Sequence, residues 1–277
     1  MAASRSERPS AVEIAAVKFL LEPWRLLTSP RFFGLENLPR RRPFLLVANH
    51  TLMGVLDVPL MVLEIFEKRG LFIRPLGDHM HFQIPLWRDL LARFGTVDGT
   101  RDNCRALMRA GESILVFPGG GREVFKHKGE AYKLIWKERV GFVRLAIEFG
   151  YPIVPVAAVG AEECYEILVD ADEILATPLG PLLKRLTPRY DEIPPLVRGI
   201  GPLPRPQRFY FSFGKPISTT RYRGRENDGE LCLAVRRKVE TALMSQISEL
   251  QELRRQDPRR RLRTRVRQAL GRTLGTE

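Results

Sequence analysis

Short, wholly apolar runs alternate with amphipathic segments along most of this chain. Residues 43–48 (PFLLVA) are apolar throughout and stop at Asn49-His50, which predicts a buried strand ending on two polar groups. Residues 57–66 begin with Asp57 and run on to Lys68-Arg69-Gly70, the charge order and glycine stop of a helix. Residues 71–73 predict a second strand, 84–94 a helix, 94–97 a short strand and 101–110 a helix closed by Gly111. Residues 113–117 form a third strand that runs straight into Pro118-Gly119-Gly120-Gly121. A helix over 136–149 closed by Gly150, a buried strand over 153–159 interrupted by Pro155, a strand over 208–213 and a helix over 230–253 complete the pattern.

Strands that alternate with helices predict an α/β fold: a single domain with a mostly parallel central sheet flanked by helices. Residues 11–27 are crowded with Val12, Ile14, Phe19, Leu20, Trp24 and Leu26, with Glu13, Lys18, Glu22 and Arg25 between them. They predict N-terminal amphipathic helices broken near Pro23, suited to a membrane interface or to the domain's own core. Residues 177–206 carry eight prolines among leucines and basic residues, and predict an irregular excursion over a channel, a lipid surface or plain solvent. A basic C-terminal helix follows. The expected divisions are 1–31 for the interface helices, 32–220 for the main domain and 221–277 for the helical basic extension.

Composition narrows the picture in two ways. The net charge of +13 draws the chain toward polyanions such as nucleic acid or an anionic lipid surface. Basic residues are not interleaved with aromatic platforms as single-strand binding would require, so no nucleic-acid partner is expected. The three cysteines, Cys104, Cys164 and Cys232, form no zinc or disulfide spacing. No run of about 18 apolar residues and no h-region ending in a small-residue cleavage site occur, so secretion is not expected, and peripheral or monotopic membrane association on the cytoplasmic face is expected instead of a span.

The candidate chemistry sits at strand ends. His50 follows a buried strand, where α/β sheets expose functional groups, and is a candidate general base. Asp57 is its candidate partner, fixing the tautomer and stabilising the imidazolium, or else a helix N-cap. A helix from 50 to 57 would separate the two by about 10 Å, so they meet only if the chain near Gly54 leaves helical geometry. Gly119, Gly120 and Gly121 let the backbone approach a ligand and aim N–H groups at developing negative charge, or form a plain tight turn. Arg122 offers a fork for phosphate or carboxylate. The triplet is neither a dinucleotide fingerprint nor a P-loop, and no G-x-S-x-G elbow exists. Asp78-His79-Met80-His81 lacks further ligands, so no metal is expected.

The order of these motifs resembles the glycerolipid (lysophospholipid) acyltransferase superfamily. Asn49-His50…Asp57 is similar to its first motif, and Phe117-Pro118-Gly119-Gly120-Gly121-Arg122 to its third. Gly95-Thr96-Val97…Arg101 is similar to the second and Ile153-Val154-Pro155-Val156 to the fourth, with Phe213-Gly214-Lys215-Pro216 beyond. The resemblance covers residues 32–218. Here six residues separate histidine from aspartate where the family has four. Gly119 stands where the family has glutamate, with Glu123 after the arginine. That wording is similar to the branch of diacylglycerol acyltransferases and phytyl ester synthases, and favours a neutral acceptor over lysophosphatidate.

The resemblance implies direct acyl transfer from acyl-CoA or acyl carrier protein to a lipid hydroxyl, with no metal or bound cofactor. His50 and Asp57 would be catalytic. Arg101, Gly119, Gly120, Gly121, Arg122, Glu123 and Pro155 would bind substrate. A lysophosphatidate acyltransferase and a non-catalytic lipid-binding protein on the same fold are the alternatives. Oligomeric state is left open.

Overall fold

A computed structural model describes residues 8–186, 189, 192–201 and 203–273. Part of the proline-rich segment, including Pro188 and Pro202, therefore lies outside the described residues, as do both chain ends. The strands are β1 (Arg31–Phe33), β2 (Leu45–Ala48), β3 (Ile73–Gly77), β4 (Val97–Asp98), β5 (Ser113–Val116), β6 (Ile153–Val159), β7 (Glu166–Val169), β8 (Leu196–Arg198) and β9 (Tyr210–Phe213). The helices are α1 (Ala11–Thr28), α2 (Val58–Arg69), α3 (Pro85–Arg93), α4 (Arg101–Arg109), α5 (Gly121–Val124), α6 (Gly141–Phe149), α7 (Ala171–Leu175), α8 (Gly180–Leu186), α9 (Gly229–Gln256) and α10 (Leu262–Thr273).

Seven strands form one sheet in the order β1-β9-β6-β2-β5-β3-β4, parallel throughout except where β6 meets β9. Every residue of β2 and β6 is buried, because helices cover both faces. Leu45 and Val47 face a core closed by Trp136, Phe142 and α9, whose Cys232, Val235, Val239, Leu243 and Ile247 recur at helical spacing. Leu46 and Ala48 face the opposite core, with Leu60, Met61, Phe209 and Phe211. Residues 221–277 thus supply part of one cover of the sheet through α9, beside α4 and α6.

The expectations hold for most elements and fail at four. The N-terminal pair is a single helix, α1, that runs through Pro23. Its start is fixed by a capping box between Ser10 and Glu13, and Trp24 Nε1 donates to Leu56 O at 2.8 Å. Side-chain anchors of this kind hold the helix together where proline removes one backbone donor. Pro155 does not interrupt β6. Its carbonyl accepts from Gly214 just past the end of β9, so the one reciprocal bond that proline cannot donate falls at the end of that pairing. The helix expected from residue 136 starts only at Gly141, because Lys137 adopts φ 51°. The proline-rich excursion is partly regular: it contains α8, and its β8 pairs antiparallel with β7.

Candidate active site

Parallel neighbours end on the same edge of a sheet, and that fact assembles the site. β2 lies between β5 and β6, so the segments that leave the three strands emerge side by side. Asn49 continues the β2 pairing with its side chain: Nδ2 donates to Ala158 O at 3.0 Å and Oδ1 accepts from Ala158 N at 2.9 Å. The next residue, His50, is stacked on Phe117, with ring centroids 4.1 Å apart.

Both polar groups of the His50 peptide are gripped by one turn. Its N–H donates to Glu123 Oε2 at 2.9 Å, and its carbonyl accepts from Lys126 Nζ at 2.6 Å. Lys126 is itself paired with Glu162 at 2.5 Å, and all three charged groups are buried. The other Glu123 oxygen accepts from Ile135 N at 2.7 Å. Burial pushes the Glu123 and Glu162 carboxyls up, and Lys126 draws both back.

The passage from His50 to Asp57 is non-helical, as the spacing demands. Met53 and Gly54 both adopt left-handed φ, 63° and 62°. The passage does not, however, close the expected dyad. Asp57 Oδ1 accepts from Thr51 Oγ1 at 3.0 Å, while the buried His50 Nδ1 has no hydrogen-bond partner among the described residues. Asp57 stands at the N-cap of α2 without a side-chain cap bond. Burial pushes the Asp57 carboxyl up to about 6, with the Thr51 hydroxyl opposing. Burial pushes His50 down to about 3, helped by the charges of Lys126 and His81.

Gly54 is required here on two counts. Besides its positive φ, a Cβ on it would lie 2.3 Å from His50 Cε1 and 2.9 Å from Nδ1. Gly54→Ala is expected to cost about 1–2 kcal/mol through the left-handed backbone and to swing the imidazole, lowering kcat roughly 10²-fold. Steady-state kinetics beside urea unfolding separates the two effects. An unchanged kcat would show that the ring position does not matter.

Several residues expected to bind substrate are committed elsewhere. Glu123 is fully buried and spends both oxygens on backbone N–H groups, one of them that of His50. Arg122 is also buried, with Nη2 on Glu130 at 2.7 Å. Pro155 lies inside β6, with its ring against Gly214. A Cβ on Gly119 would fall 2.1 Å from Glu123 Cδ, so the carboxylate that the sequence lacks at 119 returns to that place from Glu123. Arg139 Nη1 donates to the carbonyls of Pro118 and Gly119, at 2.9 and 2.7 Å. Among the described residues none accepts from the N–H of Gly119 or Gly121.

Beside this turn lies a cavity of about 430 Å3, lined by Pro118, Phe142, Glu138 and three arginines, Arg101, Arg139 and Arg144. Arg101, the first residue of α4, is exposed there, as a phosphate contact requires. Sequence reasoning missed Thr51, Lys126 and Glu162. The one available signal was the acidic pair Glu162-Glu163, placed just after the wholly apolar run of β6.

Residues 29–159 match the acyltransferase family. Phytyl ester synthase 1 of Arabidopsis thaliana, a chloroplastic protein, is 32% identical over 262 residues, which is 88% of this chain and 37% of that protein. Phytyl ester synthase 2 of the same plant is 33% identical over 84% of this chain and 36% of its own length. The chain thus spans a little over a third of these relatives. The crystal structure of the 1-acyl-sn-glycerophosphate acyltransferase of Thermotoga maritima aligns with a TM-score of 0.44 at 18% identity, over 87% of this chain and 84% of that one.

Proposed function

The chain belongs to the acyltransferase superfamily, and from that premise we propose that it transfers a fatty acyl group from acyl-CoA or acyl carrier protein to the hydroxyl of a neutral lipid alcohol at a membrane surface. The observation that carries this reading is His50, held by both its peptide groups at the end of the central strand and stacked beside the glycine turn.

His50 takes the proton of the acceptor hydroxyl as its oxygen attacks the thioester carbonyl. A C–O bond forms, the C–S bond breaks, and the proton passes from the imidazolium to the departing thiolate. The free N–H groups of Gly119 and Gly121 face the oxyanion. For the imidazolium to be stabilised, the Asp57 carboxylate turns from Thr51 to Nδ1 once substrate is bound; such contacts often tighten only in the complex. Arg101 and Arg144 hold the phosphates of the donor in the adjoining cavity.

Two features support a neutral acceptor and a membrane source. The Glu123 carboxylate next to Gly119 is already spent, and the two phytyl ester synthases are named for an ester of a neutral alcohol. Phe19 is 80% exposed on α1 and Leu86 87% on α3, and a salt bridge between Glu13 and Arg93 joins the two helices. Among the described residues no helix is long and apolar enough to cross a membrane, so these helices are read as lying on it.

The test supplies purified protein with radiolabelled acyl-CoA and vesicles containing a long-chain isoprenoid alcohol, diacylglycerol or lysophosphatidate. Ester formation is expected on the first two in preference to the third. No ester from any acceptor would overturn the reading in favour of a non-catalytic lipid-binding protein, which the open His50 Nδ1 would then fit.

A further inference from the structure

A second cavity, of about 550 Å3, lies away from the site, where the chain leaves α9 and turns into α10. Gln207 forms an antiparallel bridge to Arg261 across it. Its wall holds Arg254, Arg255, Arg260, Arg261 and Arg263, and no carboxylate. Arg254 is paired with Glu163 and Arg255 with Glu252, and Arg260 donates to the carbonyls of Arg254 and Arg255. Among the described residues Arg261 and Arg263 have no side-chain partner at all, and both are exposed. Arg261 and Arg263 thus add positive charge that no carboxylate answers, and an anion entering beside them relieves the repulsion. The first turn of α10 supplies Leu262 and Arg263 to the same wall, so the positive end of that helix adds to the field.

The cavity is tied to the C-terminal end of α1. Arg265, on the first turn of α10, donates to Leu27 O, and Arg208 Nε donates to Ser29 O at 3.0 Å. At that junction Leu26 is 68% exposed, and Val266 of α10 is 46% exposed. A cationic cavity joined to a helix end with exposed apolar side chains matches an amphiphile whose head is anionic. Free phosphate would find the charge but have no use for those side chains.

We propose that this arginine cavity binds the phosphodiester headgroup of an anionic phospholipid and so orients the protein on its membrane. The inference rests on the membrane reading above, and it adds a headgroup site distinct from the acyl-transfer site.

Flotation of the full chain with vesicles of phosphatidylcholine alone, or mixed with phosphatidylglycerol, tests it. Wild type is expected to bind both, and the mixed vesicles more tightly. R261Q/R263Q is expected to lose roughly tenfold to thirtyfold of the affinity for mixed vesicles while keeping wild-type binding to phosphatidylcholine. R259Q/R267Q removes the same charge from exposed positions outside the cavity, and is expected to lose about threefold or less. Equal losses in the two variants would show diffuse attraction and overturn the site. So would an equal affinity of wild type for both vesicles, with the membrane reading left standing. Displacement from mixed vesicles by inorganic pyrophosphate at matched ionic strength would assign the cavity to a soluble anion and also overturn it. If wild type floats with neither vesicle, the membrane reading itself fails.

Discussion

His50→Ala is expected to lower kcat/KM for acyl transfer by about 10²–10⁴-fold, the usual contribution of a positioned general base. Unfolding should change little beside that, because the backbone of residue 50 carries the contacts to Glu123 and Lys126. Burial leaves the His50 imidazole in its neutral form far below its ordinary titration range, so the free base is present throughout the neutral range. The acid limb of the rate profile then belongs to Asp57, whose carboxyl is pushed up to about 6. Activity is expected to fall below about pH 6, where Asp57 gains a proton and can no longer stabilise the imidazolium.

Asp57→Asn supplies the companion measurement. The folded value for Asp57 lies above its ordinary 3.8, so ionising it costs stability as pH rises through that interval. The asparagine variant is therefore expected to be more stable at pH 7, by up to about 3 kcal/mol, and less active. Its acid limb should move toward the lower value of His50. A variant that is neither more stable nor slower would remove Asp57 from the mechanism. A His50→Ala protein that turns over like wild type would remove the base.

Much of this site was readable in the chain, for a topological reason. The apolar runs of β2 and β5 are adjacent and parallel, so Asn49-His50 and the segment starting at Phe117 had to leave the sheet on one edge. The break near Gly54 was legible too, because only a non-helical passage gives Asp57 any route back toward His50. The clamp was not legible. Lys126 and Glu162 meet across 36 positions, and although an acidic pair after β6 marks Glu162, nothing in the local pattern joins it to Lys126. The resemblance made Glu123 a substrate contact, because it stands after the arginine of the third motif. Its carboxylate instead points inward, into the space left by the missing side chain at Gly119 and onto the N–H groups of His50 and Ile135. Helix propensity likewise overruns at residues 136–140, where the fully buried Trp136 lies before the start of α6.

Lys126→Met is expected to have the largest effect on stability. The lysine is 1% exposed, and its ammonium neutralises Glu162 while reaching the His50 carbonyl. Removing one partner of a buried pair leaves an uncompensated charge, which costs about 3–5 kcal/mol. Without the ammonium the Glu162 carboxyl, already raised by burial, rises further above its ordinary value. The loss is therefore largest at neutral and higher pH and shrinks as pH falls and the carboxyl takes up a proton. Urea unfolding at pH 7 and pH 5 measures both. A structural role and a positioning role then part in the double variant K126M/E162Q. Stability should return in part, because Glu162 no longer carries a buried charge, while Glu123 loses the ammonium but keeps its two backbone donors. Turnover should stay roughly 10²-fold low, with KM little changed, because the His50 carbonyl still lacks its donor. Full recovery of kcat in the double variant would show that Lys126 serves the fold alone.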